Sequence, residues 1–277
     1  MMIVGVYSNI KRDSKLTAAK RFASILKEEG VEFLAADFPE LNGGKAVSVG
    51  ELAARCGLIV VFGGDGTVLS VIKTAAENGV PVLGVNMGRL GFLTETDGGD
   101  ISEVVSAIRT GGYYLESRSM IEAETAGGGF TALNEIALKG DAFKTTRTRL
   151  FVDGFLTDAY FSDGVLVCTP TGSTAYSLAA GGPIVAPDVS ALIINPLNPH
   201  SLHSRPFVVS DGSVIEVEAS ELGDGLCLAA DGVFKIRVGA GERVTVRKSG
   251  IRALFAKIKT DNFYTRMLNK FCGGRDI

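Results

Sequence analysis

Apolar residues in the first 110 positions follow two alternating rhythms: short continuous runs, and longer stretches with an apolar residue every three or four positions. Residues 4–7 form the first run. Residues 14–29 then set Leu16, Ala19, Ala23 and Leu26 on one helical face and stop at Gly30, which can close a helix in the left-handed conformation. A strand is expected over 31–35. Residues 58–62 are wholly apolar, bounded by glycines and too short for an independent helix, which predicts a central strand buried on both faces. A helix over 67–78 ended by Gly79, a strand over 81–85, and a helix running to Arg109 behind a capping box of Asp100 and Glu103 complete the pattern. Such alternation predicts a parallel sheet covered by helices, a Rossmann-like α/β domain over residues 1–110.

From Tyr113 onward β-rich runs take over, separated by Asp153-Gly154, Asp163-Gly164, Asp211-Gly212, Asp224-Gly225 and Asp231-Gly232, each a turn dipeptide. Residues 213–218, 234–238 and 243–247 alternate apolar with polar, so each strand can face a core on one side. The expectation is an all-β domain, a β-sandwich over 111–255, with the tail from about 256 to 277 packing back on the α/β domain. No low-complexity linker separates the halves.

Composition narrows the partners. The 277 residues carry 28 Lys and Arg against 31 Asp and Glu, a formal charge of -3, so no basic field of the kind that gathers nucleic acid is present. The opening residues look like a strand and not a signal peptide, because no basic leader precedes them and Asn9, Lys11, Arg12 and Asp13 soon interrupt them. The most concentrated apolar run, Leu58 to Phe62, is far short of the roughly 20 residues of a membrane span, which points to a soluble, cytoplasmic protein. Cys56, Cys168, Cys227 and Cys272 are widely spaced and form no metal or redox pair. Neither does His200 with His203, which lack any acidic companion pattern.

The candidate chemistry begins at Gly63-Gly64-Asp65-Gly66-Thr67, between the strand at 58–62 and the following helix. Glycines 63, 64 and 66 can take positive φ and bring N–H groups close to an oxyanion, and the helix N-terminus adds donors and a favourable dipole. A carboxylate beside phosphates is electrostatically unfavourable unless it meets a cation or accepts a proton, and Asp65 fits both roles. The alternative is that Asp65 or Thr67 merely caps the helix. Neither a Walker loop nor a G-x-G-x-x-G fingerprint occurs. Asn134 and Glu135 pair a donor-acceptor amide with an acceptor suited to ribose hydroxyls. Residues 169–177 are rich in hydroxyls and include Gly172 and Tyr176, able to hydrogen-bond and stack a purine. Each of these also has an ordinary turn or cap as its plainer explanation.

The Gly63 to Gly66 loop is similar to that of NAD kinases, diacylglycerol kinases, sphingosine kinases and phosphofructokinases. Together with Asn86-Met87-Gly88-Arg89-Leu90-Gly91-Phe92-Leu93, Asn134-Glu135, the run from Thr169 to Ser177, Gly181-Gly182-Pro183-Ile184, the segments around His200 and Arg205-Pro206, and Asp231-Gly232, the chain resembles the NAD kinase family over nearly its whole length. The resemblance implies phosphorylation of the adenosine-ribose 2′-hydroxyl of NAD to NADP, with ATP or polyphosphate as donor and a divalent cation such as Mg²⁺. It implies Asp65 as catalytic base and Gly63, Gly64, Gly66 and Thr67 as the phosphate loop, with Arg89 able to neutralise phosphate. Asn134 and Glu135 would hold NAD, Thr174, Ala175, Tyr176 and Ser177 the adenine side, and Asp163 would reach NAD across the interface of a homodimer or homotetramer. No dedicated protein metal ligand is implied. Two departures touch fine substrate preference: Ser162 stands where the family often has Gly, and Val233 where it often has Gln. A lipid or sugar kinase sharing the loop, and a non-catalytic NADP(H) sensor, are the rival readings.

Overall fold

The computed structural model of the chain describes residues 2–11, 13, 16–36, 38–42, 45, 47–88, 91–97, 101–141, 144–220, 225–258 and 263–271. They fall into two compact units, Met1–Ser117 with Ala253–Ile277, and Arg118–Arg252.

The first unit runs β1 (Val4–Ser8), α1 (Thr17–Glu28), β2 (Phe33–Ala35), α2 (Val49–Arg55), β3 (Leu58–Gly63), α3 (Asp65–Glu77), β4 (Val82–Asn86), β5 (Thr96–Asp97) and α4 (Ile101–Thr110). Its parallel strands stand in the order β2-β1-β3-β4, with β5 against β4. The chain steps outward from β1 to β2, then back across to β3, so the direction of winding reverses between β1 and β3. Ligands bind at such a switch point, beyond the carboxyl ends of the strands. All six residues of β3 are buried, as its unbroken apolar run requires, and Phe62 meets Phe22 of α1 edge-on at 5.3 Å between ring centroids.

α1 begins at Thr17, inside the expected span, with Ser14 and Lys15 outside the described residues. Leu16, left-handed at φ 59°, offers no side-chain cap. Asp13 does so from farther back: its buried carboxylate accepts the N–H groups of Ala18 and Ala19 at 3.0 Å each and the Ser8 hydroxyl at 2.9 Å. α2 was not expected from periodicity, being only 7 residues long with Gly50 inside it, yet Ser48 and Glu51 form a complete capping box. The Asp100 half of the box expected before α4 lies outside the described residues.

The second unit contains most of β6 (Tyr114–Thr125), then β7 (Gly128–Ala132), β8 (Glu135–Gly140), β9 (Thr146–Val152), β10 (Phe155–Ser162), β11 (Gly164–Cys168), α5 (Tyr176–Ala179), β12 (Ala191–Leu197), β13 (Phe207–Ser210), β14 (Ile215–Ala219), β15 (Leu226–Ala230), β16 (Val233–Val238) and the first part of β17 (Arg243–Lys257). One antiparallel sheet is β13-β12-β11-β8-β15-β16; the other has β10-β9-β14-β17, with β6 and β7 beyond β17. Ile136, Leu138, Val165, Val167, Leu192 and Ile194 from the first sheet close on Leu150, Ile215, Val217, Val244 and Val246 from the second in one apolar core, the expected β-sandwich.

The Asp-Gly dipeptides divide by role. Asp153-Gly154 (φ 52° and 83°) and Asp231-Gly232 (φ 49° and 73°) are two-residue hairpin turns. Asp163 and Gly164 instead carry the chain from β10 in one sheet to β11 in the other, and Asp211-Gly212 lies between β13 and β14, which also belong to different sheets. Gly164, at φ 155°, is required because a Cβ there would sit 2.8 Å from Lys139 Cα. Asp224 lies outside the described residues.

The last part of β17 and α6 (Phe263–Phe271) return to the first unit, where Phe255 pairs in parallel with Val82. No helix among the described residues is long and apolar enough to cross a membrane. Cys56 and Cys168 are free and buried, and burial pushes their thiols up to about 11 and about 12; Cys272 is outside the described residues.

Asp13→Ala removes three bonds to one buried carboxylate, two of them the surrogate cap of α1. The expected loss is about 2 kcal/mol of stability, read as a lower urea midpoint for unfolding of the α/β unit followed through α1.

Candidate functional site

In the first unit the phosphate-loop candidates sit at the switch point. α3 begins at Asp65, two residues before the expected start, because Gly63 completes β3 and extended Gly64 serves as the N-cap residue. None of Gly63, Gly64 and Gly66 takes positive φ, so glycine is needed here for another reason. At Gly63 it is contact: a Cβ would lie 2.5 Å from Thr67 Cβ. At Gly64 and Gly66 a Cβ would meet open space, so the missing side chains leave the first turn of α3 bare to an approaching ligand. Thr67 is buried, and its hydroxyl accepts Asn9 Nδ2 at 3.2 Å, joining the end of β1 to the start of α3.

Asp65 is half-buried and held from the far side of the loop. Its Oδ2 accepts the N–H of Phe92 at 2.9 Å and its Oδ1 that of Leu93 at 3.0 Å. Gly91 is glycine for this contact, since a Cβ there would come within 2.6 Å of the Asp65 carboxyl carbon. Each carboxylate oxygen thus spends one lone pair on the backbone and keeps another for a ligand. The capping alternative does not describe this carboxylate, which bonds N–H groups 27 and 28 residues away. Arg89 and Leu90 lie outside the described residues.

In the second unit a different carboxylate organises the candidates. Asp231, at the β15–β16 hairpin, accepts the N–H groups of Leu133 (2.9 Å), Asn134 (2.7 Å) and Glu135 (3.3 Å). Burial pushes its carboxyl up, although the three N–H groups favour the charged form. The sequence marked Asp231-Gly232 as a family feature and a turn; its bonding role had no local signal. Behind Asn134, Thr169 donates its N–H to the Asn134 carbonyl at 2.9 Å and its hydroxyl to the Leu133 carbonyl at 2.6 Å. Gly172 lies flat on Asn134, where a Cβ would be 2.6 Å from the Asn134 carbonyl carbon.

Glu135 is 5% exposed, and its Oε2 has no hydrogen-bond partner. Desolvation, then the neighbouring Asp231 charge, raises its carboxyl to about 7. A buried acceptor left open in this way calls for a donor supplied from outside the chain.

The run from Thr169 to Ser177 is a 3₁₀ turn, Thr171–Thr174, followed by α5. Thr174 and Ala175 are half-buried and Tyr176 is 37% exposed, its ring 5.7 Å from Lys139 Nζ. Ser177 is fully buried, its hydroxyl bonded to the Cys168 thiol and its carbonyl to Asn195 Nδ2 at 3.1 Å, so it anchors the segment from inside. Gly172 packed on Asn134, and Ser177 bonded to Cys168, the partner of Glu135 in the β8–β11 ladder, set the residues from Thr171 to Ser177 beside Asn134 and Glu135.

Asp163 is not among them. Glu135 stands opposite Cys168 at one end of β11, whereas Asp163 precedes Gly164 at the other, about 16 Å away at ~3.3 Å per residue. Its carboxylate accepts Asn198 Nδ2 at 2.8 Å. Nearby His200 packs on Phe161, 4.6 Å between ring centroids. No group of three His, Cys, Asp or Glu able to hold a metal occurs among the described residues.

The family description "ATP-NAD kinase N-terminal domain" matches residues 45–113, and "ATP-NAD kinase C-terminal domain" matches residues 133–258. An NAD kinase of Desulforamulus reducens is 37% identical over 98% of this chain and 97% of its own. One from Caldanaerobacter subterraneus is also 37% identical, over 98% and 99%. Among solved structures, yeast NADH kinase complexed with NADH is 25% identical with a TM-score of 0.88 over 100% of this chain and 89% of its own. An NAD kinase from Archaeoglobus fulgidus in complex with ATP is 29% identical with a TM-score of 0.76 over 98% of both.

Because Glu135 titrates in the fold near 7 against an ordinary 4.5, the folded state binds the proton more tightly. Its stabilising contribution is complete below about 4.5 and is lost as pH rises through about 7. Glu135→Gln removes this dependence. Relative to wild type, the variant should gain up to about 3 kcal/mol between pH 5 and pH 8, seen as a melting-temperature difference that widens in its favour.

Proposed function

The chain belongs to the NAD kinase family, and from that premise we propose how its residues divide the transfer of a phosphoryl group to the adenosine-ribose 2′-hydroxyl of NAD. The observation that carries the reading is Asp65, a carboxylate fixed at the first residue of α3 by two N–H groups, with lone pairs to spare. In this reading Asp65 accepts the proton of the 2′-hydroxyl as that oxygen attacks the donor's terminal phosphorus in line. The N–H groups that open α3, beside the bare Gly64 and Gly66, receive donor phosphates, whether of ATP or polyphosphate. Thr67 serves by holding β1 to the loop. Positioning and charge stabilisation supply most of the acceleration.

The domain roles follow the same division: the α/β unit takes the phosphate donor and supplies the base, and the β-sandwich holds NAD. Asn134 and Glu135 would receive ribose hydroxyls, since Glu135 has an open buried acceptor and Asp231 fixes the backbone beneath both. Thr174, Ala175 and Tyr176 would line the adenine. Asp163, at the opposite end of β11 from this cluster, would serve NAD bound to a second copy of the chain, which agrees with a homodimer or homotetramer.

A divalent cation of the Mg²⁺ type keeps several waters and asks for one or two carboxylates beside substrate phosphates. The chain fits that demand with Asp65 as the carboxylate at the loop. When bound, the cation neutralises charge on the transferring group. A cytoplasmic location is part of the same proposal, and no helix among the described residues is long and apolar enough to cross a membrane.

Asp65→Asn should leave NAD affinity within about twofold and reduce turnover at least about a hundredfold, measured by NAD titration and by NADP formation from ATP or polyphosphate with Mg²⁺. Unchanged turnover would remove Asp65 from the role. Asp231→Ala should instead raise KM for NAD at least about tenfold, the scale of a lost charge-assisted bond, with a smaller change in kcat.

A further inference from the structure

The Asp65 carboxylate is only as fixed as the N–H groups that hold it, and residues 91–95, which supply them, form neither helix nor strand. Their placement comes from elsewhere. On one side β4 receives them: Glu95 donates its N–H to the Gly84 carbonyl at 2.7 Å, and a Cβ on Gly84 would be 3.1 Å from Thr94 Cα.

On the other side stand the end of β17 and α6. Arg266 Nη1 donates to the Thr94 carbonyl at 2.6 Å, and Arg266 Nη2 and Lys257 Nζ both bond Glu95 Oε1. These side chains are nearly sealed from water, with exposures of 5% for Arg266, 4% for Lys257 and 1% for Glu95. Glu116 approaches Lys257 at 3.9 Å, so two cations face two anions. The Phe92 ring lies 6.1 Å from Phe263 and 5.9 Å from Phe271 between centroids, with Lys270 Nζ 4.2 Å away.

Arg266 is the buried residue of α6, a helix whose other described side chains remain partly or well exposed. A helix that buries a guanidinium in place of an apolar side chain gains little stability from it, because desolvation offsets the pairing. Glu95 Oε2 and the Thr94 hydroxyl are also left buried without partners, which a purely stabilising network would avoid. What the arrangement does secure is position.

We infer that α6 braces the catalytic carboxylate, with Arg266 as a positioning residue that fixes Thr94 and Glu95 and, through them, the Phe92 and Leu93 N–H groups on Asp65. Phe271 braces the same segment from outside by stacking on Phe92. The inference rests on the reading of Asp65 as the proton acceptor. It predicts that loosening α6 is felt in turnover and not in NAD binding, because α6 belongs to the unit that carries Asp65, whereas Asn134 and Glu135 belong to the other.

The test uses the full chain in four forms: wild type, Arg266→Met, Phe271→Ala and Asp65→Asn. Each is examined for amide hydrogen exchange over 91–95 and for steady-state kinetics with NAD, ATP and Mg²⁺. The expected result for Arg266→Met is faster exchange at Phe92 and Leu93, unchanged exchange in β3 and α3, kcat lower by roughly tenfold or more on the scale of a misplaced catalytic group, and KM for NAD within about twofold. Phe271→Ala should show the same pattern with smaller amplitude. Since Phe271 is an exposed side chain, that variant decides the matter if Arg266→Met does not fold. The brace is refuted if exchange at 92–93 is unchanged, or if KM for NAD moves in place of kcat. Asp65→Asn separates the two claims: if it retains turnover, the proton-acceptor role fails and exchange alone judges the brace. If it loses turnover while the α6 variants keep theirs, the base stands and the brace falls.

Discussion

Carboxylates that capture backbone N–H groups, near in sequence at Asp13 and far at Asp65 and Asp231, hold this protein in place. Asp13 bonds the first turn of α1, Asp65 bonds the stretch at 92–93, and Asp231 bonds three successive residues at 133–135. A charged acceptor on a neutral N–H makes a stronger bond than two neutral groups do, and those at 92–93 and 133–134 fix main chain outside any helix or strand. Loss of such a carboxylate would leave orphaned donors as well as a missing contact. The same atoms therefore serve both fold and site.

Glycine is the other half of that arrangement. Gly91 admits the Asp65 carboxyl, Gly172 admits the Asn134 backbone, and Gly63 admits Thr67. In each case the need is space and not unusual φ. Gly64 and Gly66 differ, for nothing among the described residues crowds them. Their value lies in the bare N-terminal turn they leave, which is what an approaching phosphate needs.

The alternation of runs and helical stretches made the α/β half readable, and the dipeptide-punctuated strands made the sandwich readable, because both patterns are local. α2 escaped periodicity because it is two turns long, although its Ser48 and Glu51 cap stood in plain view. The Asp-Gly dipeptides misled where a sheet change and a hairpin share the same two residues: Asp153-Gly154 turns a hairpin, Asp163-Gly164 does not. At the candidate site the residue types were legible and their partners were not. Nothing near Asp65 in the chain indicates that its carboxyl bonds residues 92 and 93, and nothing near Asp231 indicates 133 to 135. Ser177 belonged to the right segment yet faces inward, a matter of a four-residue helix whose phase no periodicity could set.

The two units differ in how they are drawn from the chain. The sandwich unit is one continuous stretch, whereas the α/β unit is closed only by the final residues, through β17 and α6. During synthesis the middle of the protein can therefore finish first, while the N-terminal sheet waits beside the ribosome for its last strand and helix. A chain released before α6 would carry a finished sandwich and an open α/β half.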